Sequence, residues 1–244
     1  MTIEKLHQLF LKYPQVSTDT RNIQPNSIFF ALKGPNFNGN KFASEAIRNG
    51  AAYAVIDEEK YIKGEAFVLV DDVLKSLQQL ASYHRNYCNA KLIALTGSNG
   101  KTTTKELIFS VLSKKFKTIA TKGNLNNHIG VPLSLLSIKK DTEFAIIEMG
   151  ANHRKEIEFL CNIAQPDYGY ITNFGKAHLE GFGGVEGVIK GKSELYNYLR
   201  ENDELVFIND QDEIQKSQFK TQMIKFCKKF QVSKFKKESF PGLK

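Results

Sequence analysis

The chain predicts an α/β fold, with a small N-terminal α/β unit followed by a domain built on a mostly parallel sheet. Three observations carry this. Apolar runs of strand length alternate with stretches of helical periodicity. One run, KLIALT, passes directly into a glycine loop, GSNGK, and then into a helix-forming stretch. The polar clusters follow the apolar runs, where a parallel sheet gathers its ligands.

The elements follow in order. Residues 1–16 place Leu6, Leu9, Phe10 and Tyr13 on one side of an amphipathic helix, with Glu4, Lys5 and Lys12 elsewhere. SIFFAL (27–32) is a short strand and GPNFNGNKF (34–42) a loop. Residues 43–50 predict a helix, AAYAVID (51–57) and EAFVLVDD (65–72) two further strands. Val73 to Tyr87 is a connecting helix with Val73, Leu74, Leu77, Leu80 and Ala81 apolar. In the second unit the strands are KLIALTG (91–97), EFAIIEMG (143–150), DYGYITN (167–173) and LVFIND (205–210). The helix at 102–115 is expected to bury Leu107, Ile108, Val111 and Leu112. The expected divisions are 1–86, 87–214 and a basic tail, 215–244.

With 244 residues, 41% hydrophobic and 25% charged, the chain is long enough for two modest cores. The net charge of +8 is local. Residues 215–244 hold nine Lys and one Glu, so the rest of the chain balances to zero. A neutral body with a basic tail is not the spread basic surface of a nucleic-acid binder. Cys88, Cys161 and Cys227 lie far apart, which favours reduced thiols in a cytoplasmic protein over a disulfide framework. No apolar run reaches membrane-spanning length.

Four clusters carry chemistry. In Thr96-Gly97-Ser98-Asn99-Gly100-Lys101-Thr102-Thr103 the glycines let backbone amides turn toward a phosphate, and the next helix adds its positive end. Lys101 would neutralise outer phosphates and the Thr102 hydroxyl would reach magnesium. Glu148 ends a buried strand. Alone it is equally a surface acid, but beside such a loop it is placed to hold magnesium. His178 follows a strand end and precedes a glycine-rich loop, though a lone histidine is more often structural. On the helix that holds GVIKGKSELYNYL, Lys192 shares a face with Val188, Leu195 and Leu199, whereas Lys190 lies with Glu194 and Asn197. An inward lysine either snorkels, meets an anion or is modified.

The loop lacks the glycine five residues before Gly100, where Leu95 stands, and reads TGxxGKT. In this, in STDTRNIQPNSIFFALKGPNFNGNKF, and in GNLNNHIGVPLSLL, IIEMGAN and ITN…AHLEGFGG…KGKSELY, the chain resembles the Mur ligases over about residues 15–210. Within that family it is most similar to the branch that adds D-alanyl-D-alanine to a UDP-N-acetylmuramoyl-tripeptide. The resemblance implies ATP-dependent amide formation through an acyl phosphate, in peptidoglycan precursor synthesis. It implies an N-terminal uridine-nucleotide domain with Thr20 and Arg21 at its site. It places ATP on Gly97 to Thr103 and near Asn127, one magnesium on Thr102 and Glu148, and a second on His178. Lys192 falls where related ligases carry a carbamylated lysine, and a monomer is expected.

Members of that family are longer chains of three domains. The match fades after LVFIND, so the central domain is expected to be incomplete and the chain weak or inactive alone. The alternatives are a non-catalytic nucleotide- or UDP-sugar-binding fragment, or another ligase of this chemistry. A folylpolyglutamate-type ligase would lack the STDTR…FFALKG unit, and a GTPase would carry an NKxD motif that is missing here.

Overall fold

The structure, a computed structural model, describes residues 1–175 and 179–217. His178 and residues 218–244 of the expected basic tail lie outside the described residues.

The N-terminal unit runs α1 (Ile3–Lys12), β1 (Gln15–Ser17), β2 (Ser27–Phe30), a hairpin of β3 (Lys33–Gly34) and β4 (Phe37–Asn38), α2 (Ala43–Arg48), β5 (Tyr53–Ile56) and β6 (Phe67–Leu69). Its main sheet is parallel throughout, in the order β1-β2-β5-β6. α1 buries Leu6 and Phe10 as its spacing requires. It stops at Lys12, short of the expected residue 16, and the chain then extends into β1. The stretch expected as a loop at 34–42 contains the small hairpin and a 3₁₀ turn.

Helix α3 (Val73–Tyr87) starts where the Asp72 carboxylate accepts from the Lys75 amide at 2.8 Å. It buries Val73, Leu77, Leu80 and Ala81. These residues join α1 and β2 to the helices of the second unit in one continuous hydrophobic core. The expected 86/87 division therefore falls inside a helix that both units share.

The second unit runs β7 (Lys91–Thr96), α4 (Lys101–Leu112), β8 (Thr118–Ala120), α5 (Gly130–Leu136), β9 (Phe144–Glu148), α6 (Glu156–Ala164), β10 (Tyr168–Ile171), α7 (Leu179–Phe182), α8 (Val185–Glu201), β11 (Leu205–Phe207) and α9 (Glu213–Ser217). Its sheet is also parallel, in the order β11-β10-β7-β9-β8. From β7 the chain goes to β8 and β9 on one side, then crosses to β10 and β11 on the other. The order therefore reverses between β7 and β10, which opens a crevice beyond their carboxyl ends. α9 spans the expected 214/215 division. Its Gln215 is buried and donates to the Ile171 carbonyl at 2.9 Å.

One expected face is half right. Leu107 and Val111 of α4 are exposed, at 59% and 70%. Ile108 and Leu112 pack as expected on Ile93, Leu95 and Ile146 of the sheet, joined by Phe109, and Lys105 is buried beside them. The apolar arc of this helix is wider than one sheet face can cover. Polar contacts of Thr102 and Lys105 fix which part of it turns inward.

Candidate active site

The glycine loop occupies the crevice between β7 and β10. Gly97 has φ +143°, and a methyl at its Cα would overlap the Thr172 hydroxyl. Gly100, at φ +77°, turns the chain into α4. The segment after β10 holds the loop in shape. The Ser98 amide donates to the Asn173 carbonyl at 3.1 Å, and the Ser98 hydroxyl to the Gly175 carbonyl at 2.9 Å. The Asn99 amide donates to Asn173 Oδ1 at 3.2 Å, while its carbonyl accepts from the Thr172 hydroxyl at 2.6 Å and from Asn173 Nδ2 at 3.0 Å. Ser98 and Asn99 are thus bound to the protein itself. The first-turn amides of α4, from Lys101 to Thr103, have no intrahelical acceptor and are the donors offered to an anion.

Lys101 Nζ donates to the Gly97 carbonyl at 2.8 Å. Burial pushes its pKa below the ordinary lysine value, opposed by the charge of Glu148. Glu148 is 2% exposed at the end of β9. Its Oε2 accepts from the Thr102 hydroxyl at 3.0 Å, and its Oε1 from Asn126 Nδ2 at 2.8 Å. Its amide donates to the Thr121 hydroxyl at 3.0 Å.

Lys192 faces inward with Val188, Leu195 and Leu199, all buried. Its ammonium donates to the Ala151 carbonyl at 3.3 Å and lies 5.1 Å from the centre of the Phe182 ring. Burial and then the nearby Lys101 pull its pKa down to about 8, while Glu156 and Glu194 raise it. Glu194 itself is buried and accepts from the Lys155 and Glu158 amides, which caps α6. Lys190, by contrast, is exposed beside Glu186.

A cavity of about 470 Å³ opens in front of these groups, lined by Lys101, Asn126, Asn127, Ala151, Asn152 and Glu156 among others. Asn127 borders it, but its Oδ1 accepts from the Ile129 and Gly130 amides at 3.1 and 2.9 Å, at the start of α5. It is the neighbouring Asn126 whose side chain reaches Glu148. Thr20 and Arg21 lie on a 3₁₀ turn of the N-terminal unit. Arg21 is paired with Asp19, whose carboxyl it holds down at about 2, and the Thr20 carbonyl accepts from Asn49 Nδ2. The structure thus brings Lys101, Thr102, Glu148 and Lys192 to one place, with Thr20 and Arg21 held in contacts within the other unit.

Thr102 and Glu148 offer two hard oxygen donors at the start of a helix. That suits magnesium, which keeps most of its shell for water and phosphate and takes few protein ligands. Among the described residues no group of three or more His, Cys, Asp or Glu could hold a metal ion. Sequence reasoning missed Asn126, Thr121 and Asn173. The run of amides in NLNN was the available signal for the first.

The family model of the Mur ligase middle domain matches residues 95–240, and that described as the Mur ligase family catalytic domain matches residues 12–91. The UDP-N-acetylmuramoyl-tripeptide–D-alanyl-D-alanine ligase of Bacillus subtilis (strain 168) is 40% identical over 202 residues, which cover 82% of this chain and 44% of that protein. A crystal structure of MurF from Acinetobacter baumannii aligns with TM-score 0.78 and 37% identity, covering 88% of this chain and 50% of the other. MurF ligase from Thermotoga maritima, solved in complex with ADP, aligns with TM-score 0.72 and 33% identity, covering 83% and 47%. The chain thus spans half or less of the length of each of these relatives.

Proposed function

Because the chain belongs to the Mur ligase family, we propose that its chemistry is ATP-dependent amide formation, joining D-alanyl-D-alanine to a UDP-N-acetylmuramoyl-tripeptide in peptidoglycan precursor synthesis. The observation that carries this is the contact of Thr102 with Glu148 at the start of α4, next in the chain to Lys101, which lines the cavity. The likeness to ligases of that specificity supplies the substrates.

In this reading the tripeptide carboxylate attacks the γ-phosphorus of ATP, and ADP leaves. The amine of D-alanyl-D-alanine then attacks the acyl carbon, loses a proton, and phosphate leaves. The approach of two anions is the main barrier, so fixed positive groups matter most. Lys101 and the first-turn amides of α4 bind the phosphates. Thr102 and Glu148 would hold magnesium, which offsets phosphate charge when bound. Lys192, as a carbamate, would add an anion at the cavity wall. His178 would serve a second magnesium. The N-terminal unit, with Thr20 and Arg21, would receive the uridine nucleotide. We expect a cytoplasmic monomer, and among the described residues no helix is long and apolar enough to cross a membrane.

The test is ligation and phosphate release by the purified chain with ATP, magnesium, UDP-tripeptide and D-alanyl-D-alanine, alongside calorimetric titration of each ligand. Turnover requiring all components supports the ligase. Binding of MgATP and UDP-tripeptide without phosphate release favours a nucleotide-binding role for the chain. Absence of magnesium-dependent nucleotide binding overturns the reading.

A further inference from the structure

We propose that Asn126 is a positioning residue that fixes the carboxylate plane of Glu148, and that Gly150 is small because Asn126 needs the space. The inference rests on the ligase reading only in taking Glu148 as a magnesium ligand. A carboxylate on a flexible stem has several rotamers, and a metal site needs one. Here each oxygen has its own donor. Thr102 Oγ1 approaches Oε2, and Asn126 Nδ2 approaches Oε1 from the opposite side. Oε1 is thereby committed to the protein, and Oε2 is the oxygen turned toward the start of α4.

The amide of Asn126 is itself held. Its backbone carbonyl accepts from the Gly150 amide at 2.8 Å, which ties the NLNN loop to the end of β9. A Cβ on Gly150 would stand 3.0 Å from both Cγ and Oδ1 of Asn126, tighter than ordinary contact. Hence the residue two places after Glu148 sets the room in which Asn126 turns. The backbone of Glu148 is fixed separately. Its amide donates to Thr121 Oγ1, and the Thr121 carbonyl accepts from the buried Lys105 ammonium at 2.6 Å. Lys105 lies three residues after Thr102 on α4. The helix that offers Thr102 therefore also anchors the strand end that offers Glu148. Supporting partners of this kind typically change metal affinity by about 10–100-fold when removed.

The experiment titrates Mg²⁺ into the full 244-residue chain at a fixed ADP concentration, and ADP alone in the presence of EDTA, by calorimetry. The variants are Asn126→Leu, which removes the donor at nearly constant volume, and Gly150→Ala, which displaces the amide without altering a polar group. Both are expected to weaken Mg²⁺ binding about 10-fold or more, with metal-free ADP affinity unchanged, because the latter depends on the glycine loop and Lys101. Wild-type Mg²⁺ affinity in Asn126→Leu would overturn the proposal. So would an equal loss of metal-free ADP binding, since Asn126 would then shape the whole loop. If Asn126→Leu fails to fold, Gly150→Ala decides between the same two outcomes. A wild-type chain that binds ADP with no response to Mg²⁺ sinks the ligase reading and this inference together. A wild type that responds to Mg²⁺, with variants that respond to it equally well, sinks the inference alone.

Discussion

The Lys101 ammonium donates to the Gly97 carbonyl at 2.8 Å, so the cation of the loop is folded back onto the loop that precedes it. Burial lowers its pKa, which means the charge is poorly solvated where it stands. A phosphate would relieve that. Lys101→Ala should therefore weaken ADP binding about 100-fold, the loss of a charge-assisted hydrogen bond of roughly 2–3 kcal/mol. The ligand-free chain should melt no lower than wild type. Calorimetry and thermal unfolding check both halves, and an unchanged ADP affinity would remove the phosphate loop from the mechanism.

Lys192 gives a pH-dependent prediction. Its folded pKa of about 8 lies below the ordinary 10.5. Between those values the unfolded chain binds more protons than the folded one, so stability should rise with pH across that window. Below about 8 the buried charge is a liability, and Lys192→Met should raise the melting temperature at pH 7. Only the neutral amine adds carbon dioxide, so carbamate formation should increase as pH rises through about 8 in wild type and vanish in Lys192→Met. A ¹³C spectrum with labelled bicarbonate reads this directly.

What the sequence made legible, and what it did not, divides along physical lines. β7 was plain because a strand buried on both faces is a continuous apolar run. Lys192 was identified as inward because Val188, Leu195 and Leu199 impose one helical face, and all four are buried. β1 and β8 were missed because three residues hold too little of a period to detect unless a longer apolar run surrounds them, as AFVLV does at β6 and LVFI at β11. α5 and α6 were missed too. α5 begins at Gly130 and carries Pro132, and α6 depends for its cap on Glu194, far along the chain. The inward side of α4 was misread at Leu107 and Val111, though not at Ile108 and Leu112, because Lys105 and Thr102 choose it through tertiary contacts. Asn126 and Asn127 are adjacent, chemically identical and on a loop, so only the fold decides which one meets Glu148. His178 lies outside the described residues.

The buried pair His7 and His84 predicts acid sensitivity at the junction of α1 and α3. His7 Nε2 lies 3.1 Å from His84 Nδ1, and His84 Nε2 lies 2.8 Å from the Ile138 carbonyl. One ring must donate and the other accept, so at least one nitrogen of the pair is unprotonated. Burial lowers both pKa values, and for His7 the charge of His84 adds to this. The unfolded chain therefore takes up protons first as pH falls below 6.5, and stability is lost there. Urea midpoints should fall between pH 7.5 and 5.5, and His7→Phe should flatten that fall. A midpoint independent of pH in wild type would contradict the burial of the pair.

Asp167 predicts a stability effect separable from the site. It stands just before β10, at the end of the sheet opposite the glycine loop. Its Oδ2 accepts from Arg85 Nη2 at 2.8 Å and from the Leu92 amide at 2.8 Å, and its Oδ1 from Lys91 Nζ at 2.6 Å. Arg85 is buried on α3 and also donates to the Ala164 carbonyl, so it cannot turn to water without leaving its helix contacts. Asp167→Asn would leave that guanidinium without its counter-charge, at a cost of about 3 kcal/mol. In a chain of this length that corresponds to a fall of roughly 6–12 °C in Tm. ADP affinity measured well below the melting temperature should not change, because α3 and the sheet ends hold the pair while Lys101 and Glu148 sit at the other end of the strands. A loss of ADP affinity matching the loss of stability would mean that the two ends of the sheet are coupled, and that the site depends on the anchoring of α3.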